Sequence, residues 1–173
     1  MLSLSDNEFS VISFLVRNFA ERLTIRSIAQ KLGFSAAGVF NILKKLEKEN
    51  IVAGEKLGTG LFYSINFEEK IAQHLASIVL LHSDEKPEKI NIEQIRQAKS
   101  AIIDKKTILL ITDSIRIVDI EIPNANVIAK TEEEVTALLR KKDVEMLQLL
   151  KKGTVLFGEE AVVRIIKNCI SRF

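Results

Sequence analysis

Residues 36–48, AAGVFNILKKLEK, hold the side chains with the plainest chemical use in this chain. Read as a helix, the segment turns Ala37, Asn41, Lys44, Lys45 and Lys48 outward, and Val39, Phe40, Leu43 and Leu46 inward. Asparagine carries a donor beside an acceptor and can pair with a base edge, while lysine ammonium groups hold phosphate oxygens. Ala36 and Ala37 are small, so the leading end of such a helix can approach a surface closely. This is the equipment of a helix laid in a DNA major groove. A solvated helical hairpin shows the same face, and the flanking elements must decide between the two.

The positioning elements are legible on both sides. In Thr24–Leu32, Ile25, Ile28, Ala29 and Leu32 recur at i, i+3, i+4 and i+7, which predicts a helix with one buried face. Thr24 is a fitting N-cap, Gly33 suits the left-handed residue that ends a helix, and Ser35 offers a second N-cap. Upstream, Ser5 with Glu8 forms a capping-box signature for a helix over Ser5–Phe19, whose stripe is Phe9, Ile12, Val16 and Phe19. Downstream, Ile51–Lys56 and Leu61–Phe67 read as strands across Gly58-Thr59-Gly60. Leu61, Tyr63, Ile65 and Phe67 alternate with Phe62, Ser64 and Asn66, and the glycines suit a hairpin turn.

On the runs IAQKLGFS, VFNILKKLEKENIV and GTGLFYSI, residues 6–67 resemble the winged helix-turn-helix family of transcription regulators. The resemblance implies that Ser35, Ala36, Ala37 and Asn41 face bases at the start of the recognition helix. It implies that Arg26, Lys44, Lys45 and Lys48 hold phosphate, and that a wing tip bearing Lys56 and Thr59 reaches the backbone or an adjacent groove. Net charge is only +2 over 173 residues. Between Arg22 and Lys48, however, six basic residues face a single acid, Glu47, so positive charge gathers where phosphate attraction is needed.

Composition excludes other classes. Apolar residues make up 47% and charged residues 28%, as in a globular protein. No apolar run approaches the ~18 residues that span a bilayer, and MLSLSDNEF lacks the basic and apolar regions of a secretory signal. Cys169 is single, so no internal disulfide forms, and its neighbours Val163, Ile166 and Ile170 predict a buried thiol. His74 and His82 have no partner at metal-ligand spacing. A cytoplasmic protein of prokaryotic style, with no cofactor and no resident metal, is expected.

After the wing, Glu68–His82 predicts a helix with Ile71, Leu75, Ile78, Val79 and His82 on one side. That face either pairs with its twin in a dimer or packs on the chain's own second half. Ser83–Lys89, SDEKPEK, reads as a linker, dividing the chain into a DNA-binding domain over 1–82, a linker over 83–89 and a small α/β domain over 90–173. In the second half the pattern predicts a helix over Ile92–Ile103 capped by Asn91, strands over Thr107–Thr112, Ile115–Ile122 and Asn126–Ala129, and helices opened by Thr131 and Asp143. A strand over Gly153–Phe157 and a helix over Glu159–Ser171 follow. The expected class is α+β: a winged helix-turn-helix, then a small domain with helices on a mixed sheet.

The phrase Gly153, Leu156, Phe157, Gly158, Glu159, after a strand and an acid-capped helix, resembles the tail of small prokaryotic nucleotidyltransferase-fold proteins. That family holds a nucleoside triphosphate with a Gly-Ser turn and metal with two aspartates one residue apart. Two carboxylates are needed because Mg²⁺ bridges them to the phosphates. This chain has no Gly-Ser pair, and Lys105 and Thr107 stand where the aspartates belong. Asp104, Asp113, Asp119 and Glu121 are scattered, although Asp119 and Glu121 would share one strand face. Walker, dinucleotide and nucleophile-elbow motifs are absent too.

The expectation is therefore a non-enzymatic, sequence-specific regulator that binds double-stranded DNA, acts as a homodimer, and carries a C-terminal domain for an effector or a partner. The alternatives are a divergent nucleotidyltransferase-like enzyme acting near nucleic acid, and a protein-interaction module built on a winged helix.

Overall fold

The computed structural model describes residues 3–82, 92–113 and 122–170. The chain divides into two compact units, Met1–Val79 and Leu80–Phe173.

In the first unit, α1 (Asp6–Arg17), α2 (Ile25–Leu32) and α3 (Ala36–Lys48) precede a hairpin of β1 (Val52–Leu57) and β2 (Gly60–Ile65) and the helix α4 (Lys70–Leu81). Local chemistry starts each helix. The Ser5 hydroxyl accepts from the Glu8 amide while the Glu8 carboxylate accepts from the Ser5 amide, closing a capping box on α1. Thr24 and Ser27 do the same for α2, with serine in the place usually held by a longer acceptor. Gly33 ends α2 at φ 71° and Ser35 caps α3, so the turn between the helices is three residues long. Val11, Ile12, Leu15, Val16, Ile28, Val39, Leu43 and Leu46 are buried as the core of the three helices.

The hairpin pairs Val52 with Ile65 and Leu57 with Gly60, leaving Gly58 and Thr59 as a two-residue turn. Gly58 takes φ 58°, which a side chain would resist. The Tyr63 amide donates to the Leu23 carbonyl at 2.8 Å, so the α1–α2 connection adds a third short edge to the wing.

Helix α4 departs from the expected facing. Its buried residues are Ala72, Leu75, Ala76, Val79 and Leu80, whereas Ile71, Ile78 and Leu81 are exposed at 41%, 53% and 44% and His82 is exposed. Of the residues expected to share one side, Leu75 and Val79 are buried beside two alanines, and Ile71, Ile78 and His82 lie on the open side. The Arg17 guanidinium donates to the Val79 carbonyl near the end of α4, where the helix dipole favours a cation, and burial lowers its pKa.

In the second unit, β3 (Ser100–Asp104), β4 (Thr107–Ile111), β5 (Asn126–Lys130) and β6 (Thr154–Phe157) form one sheet in the order β5-β4-β3-β6. Only β4 and β5 are parallel. The helix expected over Ile92–Ile103 is instead a 3₁₀ turn, Ile92–Ile95, followed by β3. A short apolar run reads as either element by periodicity alone. What decides is pairing: Ala101 and Ile103 face Leu110 and Ile108 across the Lys105-Lys106 turn. These four residues, with Ile95 and Ala98, form one apolar layer.

The helices α5 (Glu132–Arg140), α6 (Val144–Lys152) and α7 (Glu159–Ile170) complete the unit, with α6 and α7 on β3. Thr131 and Glu134 close the expected capping box, and Asp143 caps α6. Arg164 on α7 holds Glu132 on α5 through two hydrogen bonds of 2.8 and 3.3 Å. Cys169 is buried, and that burial raises its thiol pKa. The chain is thus α+β, a winged helix-turn-helix followed by helices on a mixed sheet. Asn91, the linker over 83–89 and the strand residues 115–121, with Asp119 and Glu121, lie outside the described residues.

Candidate nucleic-acid interface

Helix α3 builds the site. Val39, Leu43 and Leu46 are fully buried and fix its orientation. At about 100° per residue, Ala37, Asn41, Lys44 and Lys48 fall within a sector of roughly 60° centred opposite that buried stripe. All four are exposed. The Ser35 hydroxyl accepts from the Gly38 amide at 3.0 Å, which leaves a smooth first turn of Ala36, Ala37 and Gly38. Arg26 on α2, and Lys56 and Thr59 at the wing tip, are exposed as well.

Lys45 is exposed as expected but is also paired, and Phe40 stands elsewhere than the sequence predicts. Lys45 lies on the flank toward α1, where its ammonium is 2.8 Å from a Glu8 carboxylate oxygen and donates to the Ser3 carbonyl at 3.2 Å. The Glu8 side chain is only 9% exposed. Lys45, and then the Ser5 amide, hold the Glu8 carboxyl below its ordinary value of 4.5. The charge on Lys45 is thereby neutralised locally, and the lysine ties the start of the chain to α3.

Phe40, expected inside, is 41% exposed. It sits roughly 90° from the middle of the buried stripe, and Val39, Leu43 and Leu46 already fill the contact with α1 and α2. The Lys44 ammonium stands 5.3 Å from its ring centroid, within cation–π range. Leu61, which shares its strand face with the buried Tyr63 and Ile65, is 41% exposed because its partner is Lys56, out toward the hairpin tip.

The other flank of α3 faces the wing. A Cβ at Gly54 would come within 3.0 Å of a Glu47 carboxylate oxygen and 3.2 Å of the Tyr63 ring. Burial first, and the Glu47 charge second, raise the Tyr63 pKa above 10. Glu47, the one acid of the basic segment, is thus turned to β1 and away from the outer ridge. Neither this nor the Glu8–Lys45 pair is signalled by spacing, because both join residues of different elements.

In the second unit Asp104 and Asp113 stand at different places, and Asp113 shares Lys99 with Glu132. Asp113 pairs with Lys99, and Asp104 pairs with Thr107 across the β3–β4 turn. No group of three or more His, Cys, Asp or Glu that could hold a metal ion occurs among the described residues, and no helix among them is long and apolar enough to cross a membrane. The glycine of the phrase VLFGEE has a structural explanation. Gly158 takes φ 71°, and a Cβ there would lie 1.9 Å from the Lys99 carbonyl oxygen, where β6 meets β3.

Residues 4–53 match the family model of winged helix-turn-helix DNA-binding domains. No curated protein matches the chain. Among solved structures the chain is similar to CymR (YrzC), the global cysteine regulator of B. subtilis, at 14% identity and a TM-score of 0.35, over 54% of this chain and 79% of that one. Three helices, a three-residue turn, an outward α3 and a glycine-tipped hairpin meet in one unit, so the part of the chain that matches the family model is built as a winged helix-turn-helix.

Proposed function

We propose that the chain is a sequence-specific transcription regulator that docks α3 in the major groove of double-stranded DNA. The observation that carries this reading is the exposed ridge Ala37, Asn41, Lys44 and Lys48, set opposite the buried Val39, Leu43 and Leu46. Ser35, Ala36, Ala37 and Asn41 lie against base edges, with Asn41 suited to adenine. Arg26, Lys44 and Lys48 hold phosphates beside the groove, and Lys56 and Thr59 on the wing hold the backbone next to it. Lys45 positions the helix and does not contact DNA, since its ammonium is engaged by Glu8.

In this reading the protein works as a cytoplasmic homodimer, with a domain over 1–82, a linker over 83–89, and a non-catalytic domain over 90–173 that receives an effector or a partner. The dimer is supported by the exposed stripe Ile71, Ile78 and Leu81 on α4. Apolar side chains aligned on one exposed helix face favour association, and two-fold pairing would offer two recognition helices to a symmetric site. The close approach of Gly158 to Lys99 supports a structural role for the phrase that resembles nucleotidyltransferases.

Selection of bound sequences from random duplex DNA by the full chain tests the reading. A recovered motif made of two inverted half-sites is expected. Recovery of no motif would remove sequence-specific binding, and a single undivided motif would remove the dimer.

A further inference from the structure

We propose that Phe40 is a specificity-determining residue of the α3 surface and packs against the C5-methyl group of a thymine; this rests on the major-groove reading above. Phe40 is the one exposed aromatic residue among those described. Val39, Leu43 and Leu46 already form the buried stripe of α3, and Phe40 stands beside it with 41% of its surface open. Its surroundings are chemically selective. Ala36 and Ala37 precede it by four and three residues, placing small apolar groups on its N-terminal side. Asn41 follows it, and the Lys44 ammonium stands over its ring, 5.3 Å from the centroid. A ring flanked by methyl groups and a cation, at the edge of the ridge that carries Asn41, Lys44 and Lys48, is complementary to an anionic partner that presents a small apolar feature.

In the major groove that feature is narrow. A phenyl ring neither donates nor accepts a conventional hydrogen bond, so it gains nothing from the N7, O6, O4 or amino groups of the bases. The thymine methyl is the apolar element among the base edges there. Phe40 is therefore expected to favour thymine beside the base read by Asn41, while Lys44 holds the ring from one side and a phosphate from the other. Removing one methyl from such a contact should weaken binding about fourfold, the weight of one buried methyl-sized group.

The test uses the full chain and the duplex recovered by selection, remade with single thymine-to-uracil replacements, which delete the methyl and keep the pairing. Expected is a loss of about fourfold at one thymine per half-site. In F40A, whose fold is checked by circular dichroism, binding to the thymine duplex should fall by at least that factor and the uracil penalty should vanish. F40L should keep part of both. If the chain selects no duplex, the major-groove reading fails and this proposal with it. If it binds tightly but every uracil replacement is neutral, or F40A keeps the full uracil penalty, the assignment of Phe40 is overturned while the reading stands.

Discussion

The Lys45 ammonium and the Glu8 carboxylate meet at 2.8 Å between α3 and α1, so one lysine of the basic helix α3 is engaged within the fold. The carboxylate is nearly buried, and it also accepts from the Ser5 amide, so one side chain closes the α1 cap and anchors α3. The orientation of α3 is thereby coupled to the first turn of α1.

This coupling predicts acid sensitivity. The folded Glu8 pKa lies below 4.5, its ordinary value. Its contribution to stability is therefore complete above about 4.5 and is lost as pH falls from there through the lower folded value. E8Q should lower stability at pH 7 by about 1.5–3 kcal/mol, the range of a hydrogen bond to a charged group. Its Tm should also fall less steeply than that of the parent between pH 5 and pH 3 (about the range that brackets a depressed carboxyl). Thermal melts across that interval check it, and equal slopes would remove Glu8 from the acid response.

The lysines should separate by function. K44A and K48A together are expected to reduce the slope of log affinity against log salt by about 2, one phosphate each at roughly 0.9 per contact. K45A should leave that slope unchanged and instead lower thermal stability, because it strands the Glu8 carboxylate. Titrations at several salt concentrations distinguish the two, and a reduced slope in K45A would return that residue to the DNA contacts.

Two glycines share one backbone conformation but should respond differently to alanine. Gly33 and Gly158 both take φ 71°, yet a Cβ at Gly33 meets nothing within 4 Å, whereas at Gly158 it would lie 1.9 Å from the Lys99 carbonyl oxygen. G33A should cost about 1–2 kcal/mol, the strain of a left-handed residue. G158A adds a backbone overlap and should cost roughly 3–5 kcal/mol, among the severe single substitutions. Denaturant unfolding of both variants measures this, and similar losses would mean that β6 shifts freely away from β3.

Local instructions were readable without coordinates. Ser5 with Glu8, Thr24, Gly33, Ser35, Thr131 with Glu134 and Asp143 all act within one helical turn, so spacing alone reveals them. The hairpin around Gly58 is equally local, as is the outward setting of Asn41, Lys44 and Lys48, which follows from the regular positions of Val39, Leu43 and Leu46.

The amino-acid sequence by itself therefore determined where the helices with side-chain caps begin, which face of α3 points out, and that a winged helix-turn-helix occupies the first part of the chain. Tertiary structure alone decided that 100–104 is a strand, that Phe40, Leu61, Ile71 and Ile78 lie outside, and that Lys45 turns to Glu8. The physical reason is range. Caps and turns are settled between residues three or four apart, whereas strand pairing, the choice between two apolar helix faces and the partner of a long flexible cation depend on what a distant segment brings alongside.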